Sequence, residues 1–301
     1  MAAALEAVGG RTYLDRVEGR LQSLLEAERD CWSALDPRFA PALETLLDLG
    51  LCGGKRLRAL FAYWAFVGAG GDIESDVILD AGAALELIQL AALIHDDVMD
   101  GAERRRGRPT AHVRLGEGRA IVLGDLALFH ADTLIAALPG SARRLLAELR
   151  VEMAMGQFLE LTAMAEGTPT ARTAKLIALF KAGKYTVERP LHVGAALAGR
   201  LSELRGVLTA YGLRVGMAFQ LRDDLLGAFG DPTLTGKPVG DDLTQGKPTL
   251  LAAVGGSSSA VERCIEELVA QASEAVACSA LEAPARSALL DLARFVMERP
   301  Y

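Results

Sequence analysis

Cysteine is scarce. The 301 residues hold four, Cys31, Cys52, Cys264 and Cys278, far apart and without a CxxC pair. That excludes a disulfide framework and a thiolate metal site, and fits free thiols in a reducing, cytoplasmic compartment. Aromatic residues make up only 5% of the chain, proline is limited to 11 positions, and alternating β-branched runs are rare. Nothing therefore signals a sheet. Positive charge is not in excess: 32 Lys and Arg face 39 Asp and Glu, a net charge of −7. An overall basic footprint for nucleic acid is excluded, and any anion site must gather its cations locally. The four histidines and four cysteines show no zinc spacing. No charge-free run is long enough to span a membrane. The apolar stretch before Asp96 carries Asp80, Glu86 and Gln89, and so reads as a buried core helix rather than a transmembrane segment. The first residues, MAAALEAVGGRTYLDR, have neither the basic start nor the apolar run of a signal peptide.

What the chain has is apolar helix. Hydrophobic residues reach 51%, rich in Ala and Leu. The expected class is all-α: a single helical bundle over residues 1–301 around a central cavity. Leu14, Val17, Leu21 and Leu25 recur at helical spacing, and Asp36-Pro37 breaks this first pattern before a second helix ending at Gly50. A helix up to Asp100 is stopped by Gly101, residues 115–119 read as a loop, and apolar helices follow over 120–138, 141–166 and 203–229. Pro190 is predicted to kink the helix over 171–199.

The chemistry concentrates at 86–110, ELIQLAALIHDDVMDGAERRRGRPT. On a helix Asp96 and Asp100 share one face, and two like charges at that spacing repel. All-oxygen ligands suit a hard cation such as magnesium. The arginines directly after, Arg104, Arg105, Arg106 and Arg108, offer planar forks for phosphate. Alone, this pattern fits equally well a helix end with surface acids and a solvated basic loop. Gly53-Gly54-Lys55-Arg56-Leu57-Arg58 puts paired glycines and cations before an apolar helix. It reads either as a plain turn or as an anion cradle. A second paired acid, Asp223-Asp224, follows Gln220 and precedes the glycine- and lysine-rich stretch containing Lys237 and Lys247. Two acid–base half-sites that each lack an explanation make sense together, as carboxylates on facing helices of one cavity.

The ordered segments GGKRLR, ELIQLAALIHDDVMDGAERRRGRPT, GDLALFHAD, KYTVERPLHVGAALAG and FQLRDDLLGAFGDPTLTGKPVGDDLTQGK run from Gly53 to about Thr249. They resemble the trans-isoprenyl diphosphate synthase (polyprenyl synthetase) family, above all its actinobacterial geranylgeranyl branch. The resemblance implies a prenyltransferase that joins isopentenyl diphosphate to an allylic diphosphate (dimethylallyl, geranyl or farnesyl) with three magnesium ions. By it, Asp96 and Asp100 hold two ions and Asp223 a third, with Asp97 and Asp224 acting through water. Arg105, Lys181 and Lys237 take the allylic diphosphate, and Lys55, Arg58, Gln89 and Arg106 the isopentenyl diphosphate. Lys247 orders a closing loop. Gln220 and backbone carbonyls near Lys181 face the carbocation. Ala91 and Ala92, one turn before Asp96, floor the tail pocket, with Ile88 deeper. Small residues there imply a geranylgeranyl product, a longer polyprenyl or a farnesyl product being the alternatives. A homodimer is implied, and a partner subunit of a heteromeric synthase is the rival role. The chain departs from the family pattern at Gly227, where an Asp is usual, and at Ala182, Gln89 and Ala59.

Overall fold

A computed structural model describes residues 10–167, 170–229, 249–253 and 258–298. Helix α1 (Gly10–Leu35) buries Tyr13, Val17, Leu21 and Leu25 along one stripe. It ends where Asp36 accepts a hydrogen bond from the Arg38 amide and caps a short 3-10 turn, Pro37–Phe39. α2 (Ala40–Leu51) and α3 (Leu57–Gly68) flank the Gly53-Gly54 turn. Ser75 then caps α4 (Asp76–Met99), and Gly101 in the left-handed region ends it.

The basic stretch after α4 is not an open loop. It folds into a two-residue hairpin, β1 (Arg104–Arg105) against β2 (Arg108–Pro109), with Arg105 opposite Arg108. The loop expected over 115–119 is likewise reduced to one residue. α5 (Ala111–Leu115) and α6 (Glu117–Ala136) are joined by Gly116 alone, whose φ of 86° turns the chain between two helices.

α7 (Gly140–Glu166) and α8 (Ala171–Ala178) lead into the main departure from the sequence expectation. The kink predicted at Pro190 is spread over a π-helix, Leu179–Glu188, before α9 (Arg189–Leu197) resumes with Pro190 in its first turn. Pro190 has no N–H to return to the preceding turn, and the Arg189 amide instead bonds the Lys184 carbonyl, five residues back. The remaining helices are α10 (Leu201–Phe229), α11 (Leu250–Ala253), α12 (Ser258–Ala277) and α13 (Ala283–Glu298).

These elements form two compact units. One comprises Arg11–Leu60 and Glu74–Pro139, and in it α4 packs along α6 and against α2. α4 is sealed by its neighbours: Ala84, Leu85 and Ile88 have no exposed surface. By length and composition this helix is apolar enough to cross a membrane, but 67% of its apolar window is buried inside the protein, as in a core helix. The other unit comprises Phe61–Ile73 and the described residues from Gly140 onward. Its centre is α10, packed by α12, the π-helix and α9, while α7 lies on the π-helix from another side. Glycine makes that packing possible. A Cβ on Gly216 would stand 2.5 Å from the Gly183 Cα, and one on Gly212 would stand 2.7 Å from the Glu188 Cα. The wide π turns thus sit directly on the α10 backbone.

Candidate active site

In the first unit the acids sit on the last turn and a half of α4. Asp97 is buried, whereas Asp96 and Asp100 are half-buried on the neighbouring face. The hairpin folds Arg105 back over this helix end. Its Nε donates to Asp97 Oδ1 at 2.7 Å and its Nη2 to Asp96 Oδ2 at 3.3 Å. Burial raises the Asp97 pKa, and the nearby Asp96 charge adds to this. The Arg105 ion pair pulls the other way without cancelling it.

Arg106, at the hairpin tip, adopts a left-handed φ of 51°. Its Nη1 donates to the carbonyls of Cys52 and Gly53, and its guanidinium lies where a side chain on Gly54 would be. The hairpin and the Gly53-Gly54 turn are thereby joined. A small cavity opens here, with Asp97, Arg105 and Arg106 on its polar side and Leu49, Leu90, Leu93 and Ile94 on its apolar side. Lys55 and Arg58 flank the same turn half-buried, and Gln89 is half-buried two helical turns before Asp96 on the same face. Ala92 shares that face one turn from Asp96. Ala91 and Ile88 are closed into the core, at 1% and 0% exposure. A hairpin anchor that sequence reasoning missed is Asp48 of α2, which accepts hydrogen bonds from Arg108 and, at 2.8 Å, from Arg114. Burial works to raise the Asp48 pKa, but these two arginines outweigh it and hold the carboxyl below its usual range.

In the second unit Asp223 and Asp224 lie near the end of α10. Asp224 is buried; its Oδ1 accepts from Gln220 Nε2 at 2.8 Å and its Oδ2 from the Leu251 amide at 3.2 Å. Burial raises its pKa to about 6 despite these bonds, and Asp223 pushes the same way. Gln220 therefore spends its amide on Asp224, which leaves its carbonyl to face other groups. Lys181, in the π-helix, is ion-paired with Glu160 of α7, and its backbone carbonyl accepts from the Thr186 hydroxyl at 3.2 Å.

The π-helix is held by a further group that sequence reasoning missed. Glu152 of α7 accepts Lys184 Nζ at 2.6 Å and Arg189 Nε and Nη2 at 2.8 and 2.7 Å. Burial works to raise the Glu152 pKa, but Arg189 and Lys184 together lower it. His192 lies one turn further, buried, with a pKa lowered to about 4 by burial and by Arg205 and Arg189. It is a packed histidine, its Nε2 3.0 Å from the Thr209 hydroxyl. Glu148, Glu152 and Glu160 lie at four- and eight-residue spacing on one face of α7, and that acidic face was the available signal. Lys237 and Lys247 lie outside the described residues. Among the described residues no three His, Cys, Asp or Glu side chains are gathered as a ready metal site.

The profile of the polyprenyl synthetase family matches residues 40–282. A short chain isoprenyl diphosphate synthase of Methanocaldococcus jannaschii is 35% identical over 204 residues, 66% of this chain and 61% of that protein. The chain thus spans about three-fifths of that relative. A geranylfarnesyl diphosphate synthase of Aeropyrum pernix is 34% identical over 268 residues, 84% of this chain and 83% of that protein. The crystal structure of a geranylgeranyl pyrophosphate synthase from Corynebacterium glutamicum, complexed with isoprenyl diphosphate and magnesium, superposes with a TM-score of 0.87 at 31% identity. It covers 95% of this chain and 98% of that one.

The electrostatics of Asp224 give a sign that can be checked. A carboxyl whose folded pKa is raised destabilises the fold once ionised. The penalty is absent below about pH 4 and complete above about pH 6. Asp224→Asn removes the charge and keeps one acceptor oxygen for the Leu251 amide, while its new NH2 meets Gln220, whose amide turns over so that its own oxygen accepts. Urea unfolding of the metal-free protein at pH 7.5 should show the Asp224→Asn variant more stable than the parent by roughly 2–3 kcal/mol, with the gap closing at pH 4. A variant equal to or weaker than the parent at pH 7.5 would contradict the account.

Proposed function

The chain belongs to the polyprenyl synthetase family, and from that premise we propose that it is a magnesium-dependent trans-prenyltransferase joining isopentenyl diphosphate to an allylic diphosphate. The observation that carries this reading is the end of α4. Three carboxylates within five positions meet a hairpin that lays Arg105 across two of them and Arg106 on the Gly53-Gly54 turn. Acids for a hard cation and forks for its phosphate counter-ions are built into one local structure.

The donor set fits magnesium. It is all oxygen, and Asp97 stands with Arg105 and Arg106 on the polar side of a small cavity at the end of α4. Asp96, Asp100 and Asp223 would hold the ions, three in number, with Asp97 and Asp224 behind them. When bound, magnesium neutralises the charge that collects on a departing diphosphate. The protein's own groups do the rest. Arg105, Lys181 and Lys237 bind the allylic diphosphate; Lys55, Arg58, Gln89 and Arg106 bind isopentenyl diphosphate, and Lys247 orders a closing loop. The allylic C–O bond breaks with its electron pair leaving on diphosphate. The double bond of isopentenyl diphosphate forms the new C–C bond, and the proton it loses passes to the released diphosphate. The Gln220 carbonyl faces the cation, and the apolar wall of α4 keeps out water that would quench it. We propose that both acid pairs serve this one reaction.

Purified protein incubated with magnesium, isopentenyl diphosphate and each allylic primer should release elongated diphosphates, detected by mass spectrometry. Asp96→Asn and Asp223→Asn should each cut the rate at least about 100-fold. Full activity in either variant, or no condensation by the unaccompanied parent, would overturn the reading; the latter would favour the partner-subunit role.

We infer a geranylgeranyl product from the small residue at 92. Ala91 is closed into the core, so an aromatic there would overpack it, whereas half-buried Ala92 shares the Asp96 face. Ala92→Phe should shift the product spectrum toward shorter chains, and an unchanged spectrum would remove Ala92 from the tail pocket.

We also infer a homodimer. α6 exposes Ile121, Val122 and Phe129, and α7 exposes Val151, Met155 and Phe158, the last three on one face at helical spacing. Light scattering should give twice the chain mass for the parent and a monomer for Phe158→Glu; a monomeric parent would refute the inference.

A further inference from the structure

We propose that Arg56 is a positioning residue for the isopentenyl diphosphate subsite, holding the Gly53–Arg58 turn in its binding shape without touching substrate. The inference rests on the reading that Lys55 and Arg58 bind this diphosphate. Arg56 stands between them, yet its side chain is only 8% exposed. Each guanidinium nitrogen is engaged by a different element. Nη2 donates to the Gly50 carbonyl near the end of α2 at 2.7 Å, Nη1 to Glu86 Oε2 on α4 at 3.2 Å, and Nε to Glu18 Oε1 on α1 at 3.3 Å. A cation used in this way is a bolt through three helices, not a free phosphate hook.

The backbone supports the same conclusion. Arg56 has a φ of 47°, and only Arg106 shares a positive φ among the described non-glycine residues. Side chains resist this conformation, and it persists only where surrounding bonds over-determine it. The two strained arginines grip one turn from opposite ends. Arg106 bonds the carbonyls of Cys52 and Gly53, and Arg56 bonds the helices beneath. Glu86 lies three residues before Gln89, nearly one turn along α4. The Arg56–Glu86 pair therefore sets the turn against the stretch of helix that presents Gln89, the remaining predicted ligand of the same diphosphate. Glu86 is as buried as Arg56, and its Oε1 has no hydrogen-bond partner. Arg56 supplies the compensating charge for that carboxylate.

A simple truncation would strand the Glu86 charge in the interior and endanger the fold. The test therefore uses Arg56→Lys, which keeps the charge but cannot reach three acceptors, and the neutral double variant Arg56→Met/Glu86→Gln. KM for isopentenyl diphosphate, KM for the allylic primer, kcat and Tm are measured for each. Isothermal titration of isopentenyl diphosphate alone gives binding without turnover. The expected result is a rise of at least about tenfold in KM and Kd for isopentenyl diphosphate in the double variant and a smaller rise in Arg56→Lys. KM for the allylic primer and saturated kcat should stay within about twofold, at a Tm near the parent's. A change in Tm with no change in either constant for isopentenyl diphosphate would leave Arg56 a purely structural anchor and overturn the proposal. So would equal increases in both KM values. A parent that neither condenses nor binds isopentenyl diphosphate would instead remove the underlying functional reading, and this inference with it.

Discussion

Negative charge held in the interior is the constraint on which the rest of the structure depends. Glu86, Asp97 and Asp224 are buried carboxylates, and Glu152 is largely so. An isolated ion there would be prohibitively expensive, so each must be met by cations or donors from elsewhere in the chain. The helices are arranged to do this. Arg56 reaches Glu86 across 30 positions, and Lys184 and Arg189 reach Glu152 across 32 and 37. Where compensation is complete, as at Glu152, the carboxyl is held below its ordinary range. Where it is incomplete, as at Asp97 and Asp224, the carboxyl is pushed above it. Asp97 and Asp224 stand directly beside Asp96 and Asp223, which are proposed to hold metal ions.

That division explains what could be read in the sequence. The helical class follows from apolar periodicity, and the α1 break at Asp36-Pro37 and the α4 stop at Gly101 follow from local capping chemistry that needs no partner. The paired acids were visible because they stand beside each other, Asp96 with Asp97 and Asp223 with Asp224. The compensated ones were not. Glu152, Glu160 and Asp48 look like ordinary helical acids until the chain brings their partners in. Arg56 was hidden differently, inside a motif whose outer cations drew the attention. Its inward direction depends on a backbone conformation that residue type does not announce. The short hairpin was missed for a related reason: four arginines in five positions read as a solvated loop, and only the acids around them fold it back.

The family relationship fits this picture without replacing it. A TM-score of 0.87 to a magnesium-bound synthase at 31% identity means that most side chains differ while the backbone path is kept. The departures at Gly227 and Ala182 fall in the unit that holds Asp223. Gly227 is half-buried one turn after Asp223, and Ala182 is closed into the π-helix at 2% exposure, where its carbonyl lies against α10.

The π-helix carries a consequence for how this protein can be altered. Its wider turns take up more residues per turn than an α-helix would, and within them Lys181 meets Glu160 of α7. Deleting a single residue from Leu179–Glu188 would let the segment relax to ordinary α pitch and remove the wide turns that rest on Gly212 and Gly216 of α10. Chimaeras with relatives that are straight here should therefore exchange α8 through α9 as one block, together with Gly212 and Gly216, against which the swollen turns rest.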